Sequence, residues 1–225
     1  MRKGGAYKHV HLVDASGVRL ELPFLELGEE LWDPEARRLT LLIDPGRIKR
    51  GVKPREELGP VLVEGGKYRL SIDQDWPDSA GNPLRAAFQK EFTVGPPDNV
   101  PPDPKTWVVV APRPGTREAL AIRFPEPLDR AMLEWALSVR GSDTTGVSGR
   151  NDVSDDARSW RFVPDREWTE GEYEVHVDRT LEDLAGNSIE RPFEVDSERV
   201  IERRISATTT VLRVQILAGE RREPR

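Results

Sequence analysis

Between Gly66 and Phe88 the chain reads GKYRLSIDQDWPDSAGNPLRAAF, and between Gly171 and Phe193 it reads GEYEVHVDRTLEDLAGNSIERPF. At an offset of 105 residues, without a gap, Gly66 falls on Gly171, Tyr68 on Tyr173, Asp73 on Asp178, Asp78 on Asp183, Ala80-Gly81-Asn82 on Ala185-Gly186-Asn187, and Phe88 on Phe193. Self-similarity at a fixed offset is the mark of duplicated structural units. The 225 residues therefore read as two copies of one domain, each of ordinary domain size.

Within each copy the pattern is that of a half-buried strand. Tyr68, Leu70 and Ile72 alternate with Lys67, Arg69 and Ser71, and Tyr173, Val175 and Val177 alternate with Glu172, Glu174 and His176. Each strand runs into Asp-x-Ala-Gly-Asn, where Gly81 and Asn82, or Gly186 and Asn187, supply the backbone freedom of a tight turn behind Asp78 or Asp183. An extended segment resumes at 84–88 and at 189–193. Further strands are expected at Val10–Val13, Val18–Leu22, Leu39–Ile43, Trp107–Val110, Leu120–Phe124, Leu137–Val139 and Trp160–Phe162, and in the tail around Val200–Ile205 and Val211–Ile216. Helix is confined to a turn or two at Pro54–Leu58 and Asp129–Trp135. Short strands separated by Gly, Pro and Asp predict an all-β protein of two sandwiches.

Five prolines in GPPDNVPPDPK mark a semi-rigid spacer. The expected organisation is a first domain at 1–94, a proline-rich linker at 95–106, a second domain with a C-terminal strand at 107–217, and a frayed end at 218–225. Upstream of the repeat, Val10 and Leu12 align with Leu137 and Val139. The second copy has a further opening segment before that point and the first has none. A sandwich without its first strands leaves an unpaired edge. Either the start is truncated, the preferred expectation, or the strand at Val211–Ile216 completes the first domain.

The balance of charge narrows the partners. A net charge of -6 and a pI near 5.3 argue against a nucleic-acid footprint, which needs a concentrated basic surface. No apolar run reaches the roughly 20 residues of a membrane helix. With no cysteine, disulfides, thiolate nucleophiles and cysteine metal sites are excluded. The N-terminal segment carries basic residues without an apolar stretch, so it does not read as a signal peptide.

The second copy combines four elements in order: Phe124 to Asp129 (FPEPLD), Phe162 to Pro164, Gly171-x-Tyr173, and the turn at Asp183, Gly186 and Asn187. In this it resembles the bacterial Ig-like domain named after the S-layer protein SbsA. The first copy keeps the last two elements, carries an insertion between Pro45 and Gly66, and lacks the opening Phe-x-x-Pro. The resemblance implies Ig-like sandwiches in tandem and an extracellular or cell-surface location. It also implies a structural or interaction role without a catalytic site, in contact with other domains or cell-surface components. Fold alone does not fix function.

Candidate chemistry is sparse. Asp73, Asp75 and Asp78 cluster in IDQDWPDSAGN and are candidate calcium ligands, although the spacing is not that of an EF-hand; the preferred reading is that Asp78 and Asp183 bond turn backbone. No other cofactor is expected. His9 and His11 share one face of a strand. Without cysteine or an acidic pair beside them in sequence they are an incomplete metal set, and read as surface histidines. NDVSDDA (Asn151, Asp152, Asp155, Asp156) reads as a solvated acidic loop. Among the tryptophans, Trp76 and Trp168 lie near turns and are the better candidates for exposed sugar-stacking platforms, whereas Trp160 belongs in the core. No Gly-x-Ser-x-Gly elbow, His-Glu-x-x-His or phosphate loop is present, so an enzyme is not expected.

Overall fold

The computed structural model describes residues 3–48, 56–57, 59–189 and 209–217. Over these residues the protein is all-β, with twelve strands in antiparallel sheets and a few single-turn helices. The chain divides into two compact units, Met1–Pro97 and Asp98–Arg225. The division falls inside the proline-rich segment, so Pro102 and Pro104, both buried, belong to the second unit. Among the described residues no helix is long and apolar enough to cross a membrane.

In the first unit the strands are β1 (Val10–Asp14), β2 (Leu31–Trp32), β3 (Leu39–Thr40), β4 (Lys67–Ile72) and β5 (Phe88–Thr93). One sheet has the order β1-β4-β5, and β2 pairs with β3. The core is small: Ala6, Val10, Leu12, Phe24, Val61 and Trp76 are buried, and Leu70 and Ile72 of β4 are only partly covered.

The second unit is more completely built. Its strands are β6 (Val108–Val110), β7 (Leu120–Arg123), β8 (Leu137–Gly141), β9 (Gly149–Val153), β10 (Ser159–Pro164), β11 (Gly171–Asp178) and β12 (Thr209–Ile216). They form a four-stranded sheet, β6-β7-β10-β9, and a three-stranded sheet, β12-β11-β8. Period-two alternation turns one face of each sheet inward. Leu120, Ile122, Val153, Trp160 and Phe162 come from the first sheet, and Leu137, Val139, Val175, Val177, Val214 and Ile216 from the second. All belong to one buried cluster, a sandwich-like two-layer arrangement.

The strand that carries the repeated sequence is central in its sheet in both units, and its register is the same in both. Val10 opposes Ile72 and Leu12 opposes Leu70; Leu137 opposes Val177 and Val139 opposes Val175. The upstream alignment of Val10 with Leu137 thus corresponds to the same cross-strand partners.

Several expected elements differ. Val18–Leu22 is not a strand. After the turn at Gly17 the chain returns along β1 only as far as Arg19 and Leu20, and Leu22, at φ 42°, breaks the extended run and leaves Val18 and Leu22 exposed. The strand expected at Leu39–Ile43 is regular only at Leu39–Thr40, and 84–87 is irregular until β5 begins at Phe88. Asn151 and Asp152 are not in a loop but in β9, an edge strand whose only apolar residue is Val153. Val211–Ile216 does not complete the first unit: it lies within β12, paired with β11 from Gly171↔Ile216 to Asp178↔Thr209. The helical turn near Asp129 is present at Arg130–Leu133, with the Asp129 carboxylate accepting from the Met132 N–H as N-cap. The expectations for Pro54–Leu58, for 190–193 including Phe193, for Val200–Ile205 and for the frayed end lie wholly or mostly outside the described residues.

Candidate functional site

The repeated motif is built twice, with a tyrosine bonded to upstream backbone at its start and the same capping bonds at its end. At its start, Tyr68 accepts the Val63 N–H on its hydroxyl at 3.1 Å, and Tyr173 accepts the Thr169 N–H at 3.3 Å while sharing a 2.9 Å bond with the Thr169 hydroxyl. The glycine two residues earlier is required in each case for a different reason. A Cβ on Gly66 would lie 2.8 Å from both the Tyr68 ring and the Val63 carbonyl oxygen, whereas Gly171 sits at φ +148°, where other residues are strained. Gly66→Ala is expected to cost about 1–3 kcal/mol, read as a lowered urea midpoint of the first unit. Gly28→Ala, with open space around the new Cβ, is the neutral control.

At the motif's end the two aspartates cap identical turns. Asp78 Oδ1 accepts from Ala80 N and Asn82 N, both at 2.8 Å, and Asn82 Nδ2 donates to Oδ2 at 3.1 Å. Asp183 Oδ1 accepts from Ala185 N at 2.8 Å and Asn187 N at 2.9 Å, and Asn187 Nδ2 donates to Oδ2 at 2.8 Å. Gly81 and Gly186 take φ 88° and 84° in these turns. The Asn82 N–H, first among several donors, holds the Asp78 carboxyl below its ordinary value. Both lone-pair-rich oxygens of Asp78 are therefore committed to its own turn. The calcium set Asp73, Asp75 and Asp78 is not assembled by the fold.

Asp73 and Asp75 instead meet the two histidines. His9 ends a helical turn, Ala6–His9, and His11 lies two residues on in β1. The Asp73 N–H donates to the His9 carbonyl at 2.9 Å, which places the residues just after β4 beside those at the start of β1. His9 Nδ1 is 3.2 Å from Asp75 Oδ1, and His11 Nε2 is 2.8 Å from Asp73 Oδ2. One donor atom from each of His9, Asp73 and Asp75 fits within a mutual separation of 4.8 Å. Neither histidine is a free surface group, because the acidic pair missing from its sequence neighbourhood arrives across the sheet. His176 differs, bonding only its strand neighbour Glu174 at 3.0 Å.

Trp76 and Trp168 are not exposed platforms: they retain 3% and 2% of their accessible surface. Trp76 occupies the repeat position of Leu181, also buried, and closes the end of the core; its ring stacks on His9 at 6.0 Å and 7°. Trp168 donates its indole N–H to the Glu118 carbonyl at 2.8 Å and packs edge-on against Tyr173 at 5.1 Å. Among the described residues the exposed tryptophan is Trp135, at 58%.

No protein-family model matches the chain, and no curated protein matches it.

A second cluster, in the other unit, was not visible in sequence. Asp98, Glu126 and Asp183 bring three carboxylates within 4.8 Å. Burial, then the charges of Asp183 and Asp98, push the Glu126 carboxyl above its ordinary value near 4.5, against a smaller opposing pull from Arg158. A raised folded value means the native state holds that proton more tightly. Its contribution to stability is full below about pH 4.5 and is lost as pH rises through the folded value. Glu126→Gln is therefore expected to raise the melting temperature of the second unit at pH 7 and to leave it unchanged near pH 4, by calorimetry at both pH values.

Proposed function

We propose that the chain is a non-catalytic structural or interaction module of a bacterial cell-surface or exported protein, built from two copies of an Ig-like sandwich. The observation that carries this reading is the pair of tyrosine corners. In Ig-like sandwiches a tyrosine near the start of strand F bonds the backbone a few residues upstream. Tyr68 and Tyr173 both do so, each on the strand between its sheet's two neighbours. Strand order supports the same reading. Lettering β6 to β12 as A to G turns the sheets of the second unit into A-B-E-D and G-F-C, the constant-type Ig arrangement. The first unit supplies C-F-G in β1-β4-β5.

The chemistry shared by the two copies fits a mechanical role. Tyr68 and Tyr173, and Asp78 and Asp183 with Asn82 and Asn187, are committed to corner bonding and turn capping, which stiffen loops. The glycan-binding alternative loses its platforms with the burial of Trp76 and Trp168. The location is tested by fractionating cells of the source organism with an antibody raised to the second unit. Recovery at the surface or in the medium is the expected result. Recovery with the cytosolic enzymes would overturn the reading.

A further inference from the structure

The geometry points to a divalent transition-metal site in the first unit, with His9, Asp73 and Asp75 as ligands and His11 behind them, bonded to Asp73. This goes beyond the module reading and does not depend on it. The donor set is one imidazole and two carboxylates, and the imidazole suits zinc and its neighbours in the first transition row rather than calcium, which takes oxygen donors almost alone. His9 Nδ1 and Asp75 Oδ1 are already 3.2 Å apart, near the separation between ligand atoms that share a metal at about 2.1 Å. The His9 ring is held by its stack on buried Trp76, so one ligand is oriented in advance.

Hydrogen bonding at His11 leaves a conflict that a metal would resolve. His11 Nε2 lies 2.8 Å from Asp73 Oδ2 and 3.0 Å from Arg19 Nη1. A carboxylate only accepts and a guanidinium only donates, so a single ring nitrogen cannot satisfy both. Protonated, it opposes Arg19; unprotonated, it turns a lone pair on Asp73. Arg19 already places a cation here, 3.7 Å from Asp73 Oδ1, but its side chain is 63% exposed and can withdraw into water. A metal ion on Asp73 would supply the positive charge in place of Arg19 and leave His11 Nε2–H to donate to Asp73, the outer hydrogen bond that orients a metal-bound carboxylate.

The fold does not need these residues for its own sake. In the second unit, at the same register, His9 is replaced by Ala136, His11 by Ser138 and Asp75 by Thr180, while Asp178, matching Asp73, accepts from the Thr180 N–H at 2.8 Å and its hydroxyl at 2.7 Å. The same strand pair thus closes without any imidazole. The cluster is an addition to the blueprint, and its donors suit a cation.

The test is isothermal titration of the untagged full chain with Zn²⁺, and with Ca²⁺ as the contrast. One zinc per chain is expected, unaffected by equimolar calcium. His9→Ala, His11→Ser and Asp75→Thr together install the residues of the second unit and are expected to abolish binding. His11→Gln alone should weaken it roughly tenfold or more. Arg19→Ala, which removes the competing cation and keeps all three ligands, should tighten it. Far-UV circular dichroism checks that the triple variant is folded; if it is not, Asp75→Asn, at an exposed position, replaces it and should weaken binding. Absence of saturable zinc uptake by the wild-type chain, or uptake that is indifferent to these ligand substitutions, overturns the site.

Discussion

Asp183→Ala is expected to destabilise the second unit by about 2–4 kcal/mol, and Asp78→Ala to cost the first unit about 1 kcal/mol or less. The two aspartates make the same bonds to the same backbone positions, so the difference reports mainly how buried the turn is, set against the relief that Glu126 gains when the Asp183 charge is removed. Removing the Asp183 carboxylate strips acceptors from the Ala185 N–H, the Asn187 N–H and Asn187 Nδ2. Asn187 is fully buried, and its amide also donates to the Asp98 carbonyl at 3.3 Å. Taking the carboxylate acceptor away from buried donors costs on the order of 1–3 kcal/mol. Asn82 is exposed, so water takes over when Asp78 is lost. The turn of the second unit also holds Leu181 and Ile189 in the core, so loosening it strains packing as well. Asp183→Asn keeps one acceptor oxygen but turns an amide toward Asn187 Nδ2, and should fall between wild type and alanine. Urea unfolding followed by circular dichroism gives the order; equal losses at Asp78 and Asp183 would remove burial as the cause.

What could be read from sequence was whatever leaves a local periodic trace. Tyr68-Leu70-Ile72 and Tyr173-Val175-Val177 alternate with polar residues, and they became central strands with one inward face. The Asp-x-Ala-Gly-Asn turns were legible because short acids and glycine have few other uses there. β9 escaped because an edge strand facing water on most of its surface has no apolar alternation to detect; Val153 alone marks it. Trp76 and Trp168 lie near turns in sequence and are nevertheless buried, because a large aromatic ring gains more from the core than a turn position exposes. The repeat carries the signal for the first, since Trp76 falls on Leu181, an apolar residue at the same point of the turn. The histidine cluster was beyond local reading altogether. His11 and Asp73 are 62 positions apart, and only the β1–β4 register joins them. The two halves of that site are each legible in the sequence, as a histidine pair and as an acidic run, and neither is a metal set without the other.

Trp160→Ala is expected to be the most damaging single change in the second unit, at about 3–5 kcal/mol. Trp160 sits on β10, between β7 and β9, cross-strand from Ile122 and Val153, and is completely buried. Its ring stacks near Phe162 at 6.1 Å and 18°. Truncation would open a cavity between the two sheets that neighbouring strands, fixed by their ladders, cannot collapse to fill. Trp160→Phe separates volume from polarity. The indole N–H of Trp160 is buried without a hydrogen-bond partner, so phenylalanine removes an unsatisfied donor while keeping an aromatic ring in the stack. The gain offsets part of the lost volume, and Trp160→Phe should cost less than about half of Trp160→Ala. Calorimetric unfolding of both variants decides it. If phenylalanine costs as much as alanine, ring volume is not what Trp160 contributes, and the two sheets are held together elsewhere.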